Sequence, residues 1–162
     1  MIEKNVIWVN EDNEILGEVS RTKADKEGLL HRVSVIYLND NKGNILIQER
    51  VNGKLDHSSA GHVDVGESYI EAAKRELKEE LGVSDIDLLE IGECSSNELG
   101  GKTRHKFKVY KCTANPVKLE KSEVKNVFWA DPEEIWQDMK NDEDDKKYCG
   151  GFKVTLKLYL KI

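Results

Sequence analysis

The stretch Gly61 to Val83, GHVDVGESYIEAAKRELKEELGV, places more ionisable groups in fixed helical register than any other segment of the chain. Ser68 followed by Glu71 forms a capping box, in which each side chain satisfies the other residue's exposed amide at a helix start. The helix therefore begins near Ser68. Ile70, Ala73, Leu77 and Leu81 then recur at helical spacing as an apolar stripe, and Gly82 tolerates the left-handed conformation that ends many helices. It stops near Leu81. On the remaining surface Glu76, Glu79 and Glu80 stand at i, i+3 and i+4, so their carboxylates project within reach of a common point. Each like-charge pair there costs roughly 0.2–0.5 kcal/mol, and the C-terminal end of the helix dipole adds to the penalty. A hard divalent cation reverses both effects. Mg²⁺ or Mn²⁺ suits such oxygens and keeps waters that a substrate phosphate can displace. Glu-rich, Lys-rich helices are also common solvated faces, so the three glutamates alone decide little.

The wider spacing decides more. It follows G-x5-E-x7-R-E-U-x-E-E-x-G-U, with U a bulky aliphatic, and every fixed position is met: Gly61, Glu67, Arg75, Glu76, Leu77, Glu79, Glu80, Gly82 and Val83. If each of the seven invariant letters occurred at roughly 7%, chance would give the pattern on the order of once in 10⁸ windows. The stretch closely resembles the Nudix box.

That resemblance implies an α/β (α+β) Nudix fold, a mixed β-sheet sandwiched between helices. It also implies hydrolysis of a nucleoside diphosphate linked to another moiety. By the same resemblance Glu76, Glu79 and Glu80 bind one to three Mg²⁺ ions, joined by the loop carbonyl of Gly61. Glu67 holds Arg75, which orients the other acids, while Gly82 shapes the helix end. A metal on the diphosphate neutralises charge and positions a water for attack. Glu79 or a loop glutamate then takes its proton. Glu123, just before a strand, is the candidate loop residue, with Glu120 as its alternative.

The chain's 162 residues suit one domain with a full hydrophobic core, taken here as 1–162. No apolar run approaches the length that crosses a bilayer, and MIEKNVIWVN lacks the flank and core of a signal peptide. A soluble, cytoplasmic protein is expected. Cys94, Cys112 and Cys149 are odd in number and widely spaced, without a CxxC pair, which favours neither a disulfide framework nor a zinc site. The net charge of −6 argues against a nucleic-acid polymer. A small diphosphate held through metal is the expected partner, and a homodimer is common among relatives.

Residues 5 to 20 read as a hairpin with a polar turn at Glu11 to Glu14, followed by a polar connection, Arg21 to Gly28, either helical or irregular. HRVSVIYLND and NILIQERV are expected as central strands joined by a turn at Asn39 to Gly43. Gly53 to Ser59 reads as a polar loop. DLLEIGECSSN and TRHKFKVYKCTA form a second hairpin across Glu98 to Lys102. EVKNVFWAD is another strand, and Pro132 opens a helix capped by Asp131. Asn141 to Lys147 has the carboxylates of a calcium loop but lacks its glycine and bidentate glutamate, so a solvated loop fits better. FKVTLKLYLKI alternates like a strand, yet Phe152, Leu156, Tyr159 and Leu160 also share a helical face; the resemblance favours helix.

Outside the box, Arg50, Arg104 and Lys106 are candidate phosphate contacts, with exposed strand-edge charge as the competing reading. His62 joins Arg50 and Arg104 as a candidate substrate contact. The histidines at 31, 57, 62 and 105 show no close metal spacing, and Trp8, Trp129 and Trp136 are candidates to stack a base, with core packing as the competing reading. The layout of the first half is similar to the branch containing isopentenyl-diphosphate isomerase. That enzyme needs a cysteine immediately before the box glycine, where this chain has Ala60. His31 and His62 match two of its metal-binding histidines, but its other ligands fall near Ala24 and His105. Hydrolase is the stronger reading; an isomerase-like enzyme and a non-catalytic nucleotide-binding module are the alternatives.

Overall fold

The computed structural model describes residues 3–98, 103–142 and 146–162. In chain order the elements are β1 (Asn5–Val9), β2 (Ile15–Ser20), α1 (Arg21–Glu27), β3 (His31–Asn39), β4 (Ile45–Arg50), β5 (Leu55–Asp56) and β6 (Ser59–His62). Then follow α2 (Tyr69–Leu81), β7 (Leu89–Glu98), β8 (Thr103–Thr113), β9 (Val124–Ala130), α3 (Pro132–Asn141) and α4 (Phe152–Leu160).

Strand β3 is the axis of the sheet. One edge pairs in parallel with β8, from His31 opposite His105 to Asn39 opposite Thr113. The other edge is shared by β6, which is antiparallel across Val33 to Ile36, and by β1 and β4 at its two ends. β9 extends the sheet from β4, and β7 extends it from β8. Among the described residues the result is one mixed sheet of nine strands.

Helices cover both faces, which is why the β3 sequence is a nearly unbroken apolar run rather than an alternation. Ile36 and Leu38 pack with Ala73, Leu77 and Leu81 of α2. Val33, Val35 and Tyr37 pack instead with Ile135 and Met139 of α3 and with Phe152 and Leu156 of α4. The period-2 pleat thus feeds two cores, one on each side. Polar exceptions in this layer are bonded: Ser34 Oγ donates to the Tyr69 carbonyl at 2.7 Å.

The sequence expectations hold for the N-terminal hairpin, the central strands, α2 and α3. The connection at Arg21 resolves as α1, capped by Ser20, whose Oγ accepts from the Lys23 amide. The tail is helical. Phe152, Thr155 and Leu156 are its buried residues, a spacing that a strand would not bury on one face. One expectation needs correcting: Gly53 to Ser59 is not simply a polar loop. It contains β5, and Asp56, His57, Ser58 and Ser59 are all buried. Their polarity is used internally, since Ser58 Oγ donates to the Leu46 carbonyl at 2.6 Å and accepts from the Leu38 amide at 2.9 Å.

Strands β7 and β8 pair up to Glu98 opposite Thr103; residues 99–102 of their expected turn lie outside the described residues, as do 143–145 of the acidic loop. Among the described residues no helix is long and apolar enough to cross a membrane.

Candidate active site

Helix α2 starts where its capping box requires. The Glu71 amide donates to Ser68 Oγ at 3.2 Å, and the Ser68 amide donates to Glu71 Oε1 at 3.1 Å. It ends at Gly82, whose φ of 69° is left-handed and whose N–H reaches the Lys78 carbonyl. Tyr69 and Ala72 join Ala73, Leu77 and Leu81 on the buried face, whereas Ile70, expected in the stripe, is only partly covered. Burying that face leaves Arg75, Glu76 and Glu79 directed at the sheet end where β6 begins the box.

Arg75 is the hub. Its Nε and Nη2 grip Glu67 Oε2 and Oε1 at 2.7 and 3.0 Å, a bidentate pair, while Nη2 also donates to the His62 carbonyl at 3.1 Å. Nη1 donates to Glu76 Oε1 at 2.6 Å and lies 3.5 Å from Glu79 Oε2. Glu67 Oε1 in turn accepts from the Asp64 amide at 2.9 Å, anchoring the hub to the loop. The acids are therefore not a free cluster of repelling anions. One fixed cation already sets the orientation of two of them.

Glu80 is the most enclosed of the three box carboxylates. Only 5% exposed, it places Oε1 where Ser59 Oγ donates at 2.5 Å and the Ala60 amide at 3.1 Å. Burial pushes its carboxyl up to about 8, and the charge of Glu76 adds to the rise. Burial also raises Glu76, against the opposing pull of Arg75. Two adjacent acids whose ionisation is disfavoured fit a cation site, because a bound cation supplies the charge they lack. Gly61 fits it too. A Cβ there would collide with the Glu76 carboxyl group, so only glycine lets the β6 backbone approach those oxygens.

Gly61, Glu76, Glu79, Glu80 and Glu123 line one cleft of about 600 Å³. Arg21, Arg50 and Lys54 line it as well, so acid and base face a common space. Arg50 is steered by Asp56, to whose Oδ2 it donates at 3.1 Å. Glu123 is exposed at the rim, and its charge acts on Glu76. Glu120, its alternative, turns to its own loop and accepts from Ser122 Oγ at 2.9 Å.

Two other candidates are held away from the cleft. Arg104 pairs with Glu11, and Lys106 Nζ donates to the Glu11 carbonyl at 3.1 Å. The side chains of Trp8, Trp129 and Trp136 pack against apolar clusters. His62 does line the cleft, together with His105. What sequence spacing missed is that His31, His62 and His105 converge, with ring centroids 4.7 to 5.4 Å apart. The parallel register of β3 and β8 brings them together, and nothing in the linear spacing encodes that register.

A model of the NUDIX domain family matches residues 29–149. An uncharacterized Nudix hydrolase of Yersinia pestis is 34% identical over 149 residues, 83% of this chain and 81% of that protein. An isopentenyl-diphosphate Delta-isomerase of Serratia proteamaculans is 36% identical over 89 residues, covering 51% of this chain and 50% of that protein. The crystal structure of DR0079 from Deinococcus radiodurans superposes with a TM-score of 0.77 at 23% identity, over 95% of this chain and 98% of that one. With the complete box, its geometry and these likenesses together, the chain belongs to the Nudix hydrolase family.

Proposed function

We propose that the protein is an Mg²⁺-dependent hydrolase, with Mn²⁺ as a substitute, that cleaves a phosphoanhydride bond in a small diphosphate such as a nucleoside diphosphate derivative. The observation that carries this reading is the cleft that Glu76, Glu79, Glu80 and Glu123 line together with Arg50. The acids suit a divalent cation, and the guanidinium in the same cleft suits phosphate oxygens. The small cleft and the net charge of −6 favour a small substrate over a polymer.

Glu76, Glu79, Glu80 and the Gly61 carbonyl would hold the ion. Bound there, it would neutralise diphosphate charge and supply a water primed for attack at phosphorus. Arg75 keeps Glu76 and Glu79 in fixed orientation through its anchorage to Glu67. Glu79 is the most exposed of the three box acids, at 57%, and is the first candidate to take a proton from the attacking water; Glu123 at the rim is the second. Arg50, braced by Asp56, binds the phosphate being transferred or released.

An isomerase needs a thiol where Ala60 stands. The cysteine that lines the cleft, Cys149, has its thiol pushed up to about 12 by burial, which leaves it unreactive near neutrality. The test is phosphate and nucleotide release from a panel of nucleoside diphosphate derivatives with Mg²⁺, comparing wild type with Glu79→Gln and Glu80→Gln. Turnover by wild type that both variants abolish supports the hydrolase. Isomerisation of isopentenyl diphosphate, or tight nucleotide binding without any turnover across the panel, overturns it.

A further inference from the structure

Arg50, Asp56, His57, Thr155 and Tyr37 form a chain of polar contacts that runs from the cleft into the core between the sheet and α4. Asp56 stands opposite Gln48 where β5 pairs with β4, which makes it the diagonal neighbour of Arg50. Its Oδ2 accepts from Arg50 Nη1 at 3.1 Å. Its Oδ1 accepts from the His57 amide at 2.8 Å and lies 2.6 Å from His57 Nδ1. The far side of the ring continues the chain: His57 Nε2 lies 2.8 Å from Thr155 Oγ1, and that oxygen lies 2.8 Å from the Tyr37 hydroxyl.

Every member except Arg50 is buried, Tyr37 and Thr155 completely. Burial works against the charge of Asp56, yet His57 and Arg50 together hold its carboxyl below the usual carboxylate range. A carboxylate oxygen only accepts, so a ring nitrogen 2.6 Å away carries its proton rather than opposing it with a second lone pair. Nε2 is then the nitrogen that meets Thr155, whose Oγ1 also lies 3.0 Å from the Phe152 carbonyl in the first turn of α4. Docking of α4 uses Tyr37, Thr155 and His57 alone. The buried carboxylate adds nothing to it, and its second oxygen is spent on Arg50 instead.

We propose that His57 is a positioning residue for the cleft: acting through Asp56, it fixes the direction in which Arg50 presents its guanidinium to the phosphate groups of the substrate. An arginine at a strand end, half-exposed as Arg50 is, otherwise samples many rotamers, and ordering it only on binding costs affinity. Among the described residues the Arg50 side chain makes one hydrogen bond, to Asp56, so its other N–H groups are left for anionic oxygens. Asp56 can aim that bond only as firmly as it is itself held, and the His57 amide and ring hold its inner oxygen. The ring in turn cannot rotate without giving up Thr155, which α4 carries. The use of Arg50 on phosphate rests on the hydrolase reading above; its fixation by Asp56 and His57 does not.

Asparagine and glutamine separate the two ends of the ring, since the Asn amide group falls where Nδ1 stands and the Gln amide group falls where Nε2 stands. In the full chain, ¹⁵N relaxation of the Arg50 Nε–H group should show a side chain more restricted than that of the exposed Arg21. His57→Gln keeps a partner for Thr155 but no side-chain partner for Asp56. It should release Arg50 to the mobility of Arg21 and weaken binding of inorganic pyrophosphate about tenfold, the scale of one charge-assisted hydrogen bond. His57→Asn keeps the partner of Asp56, so it should hold Arg50 and lose much less affinity, although it gives up Thr155 and melts lower. Asp56→Asn reads the same link without altering the ring and should release Arg50 as His57→Gln does. A wild-type Arg50 as mobile as Arg21 would overturn the proposal. So would a His57→Gln or Asp56→Asn protein in which Arg50 stays restricted, or a His57→Gln protein with unchanged pyrophosphate affinity. A network that only docks α4 gives the reverse order, with His57→Asn the damaged variant and Arg50 alike in both. The relaxation readout needs neither ligand nor turnover, so failure of the hydrolase reading and failure of the positioning are separate results.

Discussion

The carboxyl group of Glu76 fills the space in which a side chain on Gly61 would begin, far inside van der Waals contact. The β6 backbone and the α2 acid have been brought together as closely as a missing side chain allows. Gly61→Ala therefore has to push Glu76 off its bond to Arg75 or shift β6 against β3. Because the acid is the more movable partner, the variant should fold and lose about 10–100-fold in turnover, the usual scale for misorienting a metal ligand. Steady-state kinetics with far-UV circular dichroism checks this; an alanine variant with wild-type turnover would mean that the placement of Glu76 is unimportant.

Arg75→Lys tests the hub. Lysine keeps the charge but has one donor atom, so it cannot grip both oxygens of Glu67 while also reaching Glu76. Turnover should fall about 10–100-fold. Glu67→Gln should fall in the same direction, because it weakens the charged half of that grip. If Arg75 acts only through the acids it positions, the double variant should lose little more than Arg75→Lys alone, and fully additive losses would contradict the hub.

Much of this site is legible in the sequence because its parts are local. The capping box, the glutamate spacing and the terminal glycine lie within one helix, where 3.6-residue periodicity fixes relative direction. Glu80 shows where that reasoning ends. Spacing placed it beside Glu76, but its bonds to Ser59 and Ala60 depend on where β6 docks, which the helix sequence does not carry. The histidine cluster and the buried Asp56–His57 pair are harder still, since each arises from strand register and from the docking of α4. The tail illustrates the same limit. Its pattern fits two periods, and the helix it forms places Thr155 against the buried Tyr37 and His57, partners far away in the sequence.

That partner network supplies a stability prediction. Thr155 Oγ1 lies 2.8 Å from the Tyr37 hydroxyl and 2.8 Å from His57 Nε2, joining α4 to the sheet beneath it. Thr155→Val preserves shape but strands both buried groups, which should cost about 1–3 kcal/mol. In a chain of this size each kcal/mol lowers Tm by about 2–4 °C. A thermal melt unchanged from wild type would show that the hydroxyl is dispensable to the docking of α4.

Glu80 makes the stability of the metal-free protein depend on pH in an unusual direction. Its folded carboxyl is pushed up to about 8 by burial, while glutamate in an unfolded chain titrates at about 4.3. Between those values the folded chain holds a proton that the unfolded chain has released, so stability falls as pH rises. The contribution is fully present below the unfolded value and is lost as pH climbs through the folded one. At about 1.4 kcal/mol per pKa unit, the loss is on the order of 4–5 kcal/mol by pH 8 or above. Glu80→Gln keeps an oxygen to accept from Ser59 and Ala60 but carries no charge at any pH. In chelator the variant should match wild type near pH 5 and melt at a clearly higher temperature near pH 8. Burial also raises Glu76, so the variant retains a shallower slope in the same sense. Adding Mg²⁺ should restore wild type at pH 8 and help the variant less, because the ion then supplies the charge that the buried carboxylate lacks. Parallel pH profiles for the two proteins in chelator would remove Glu80 as the cause.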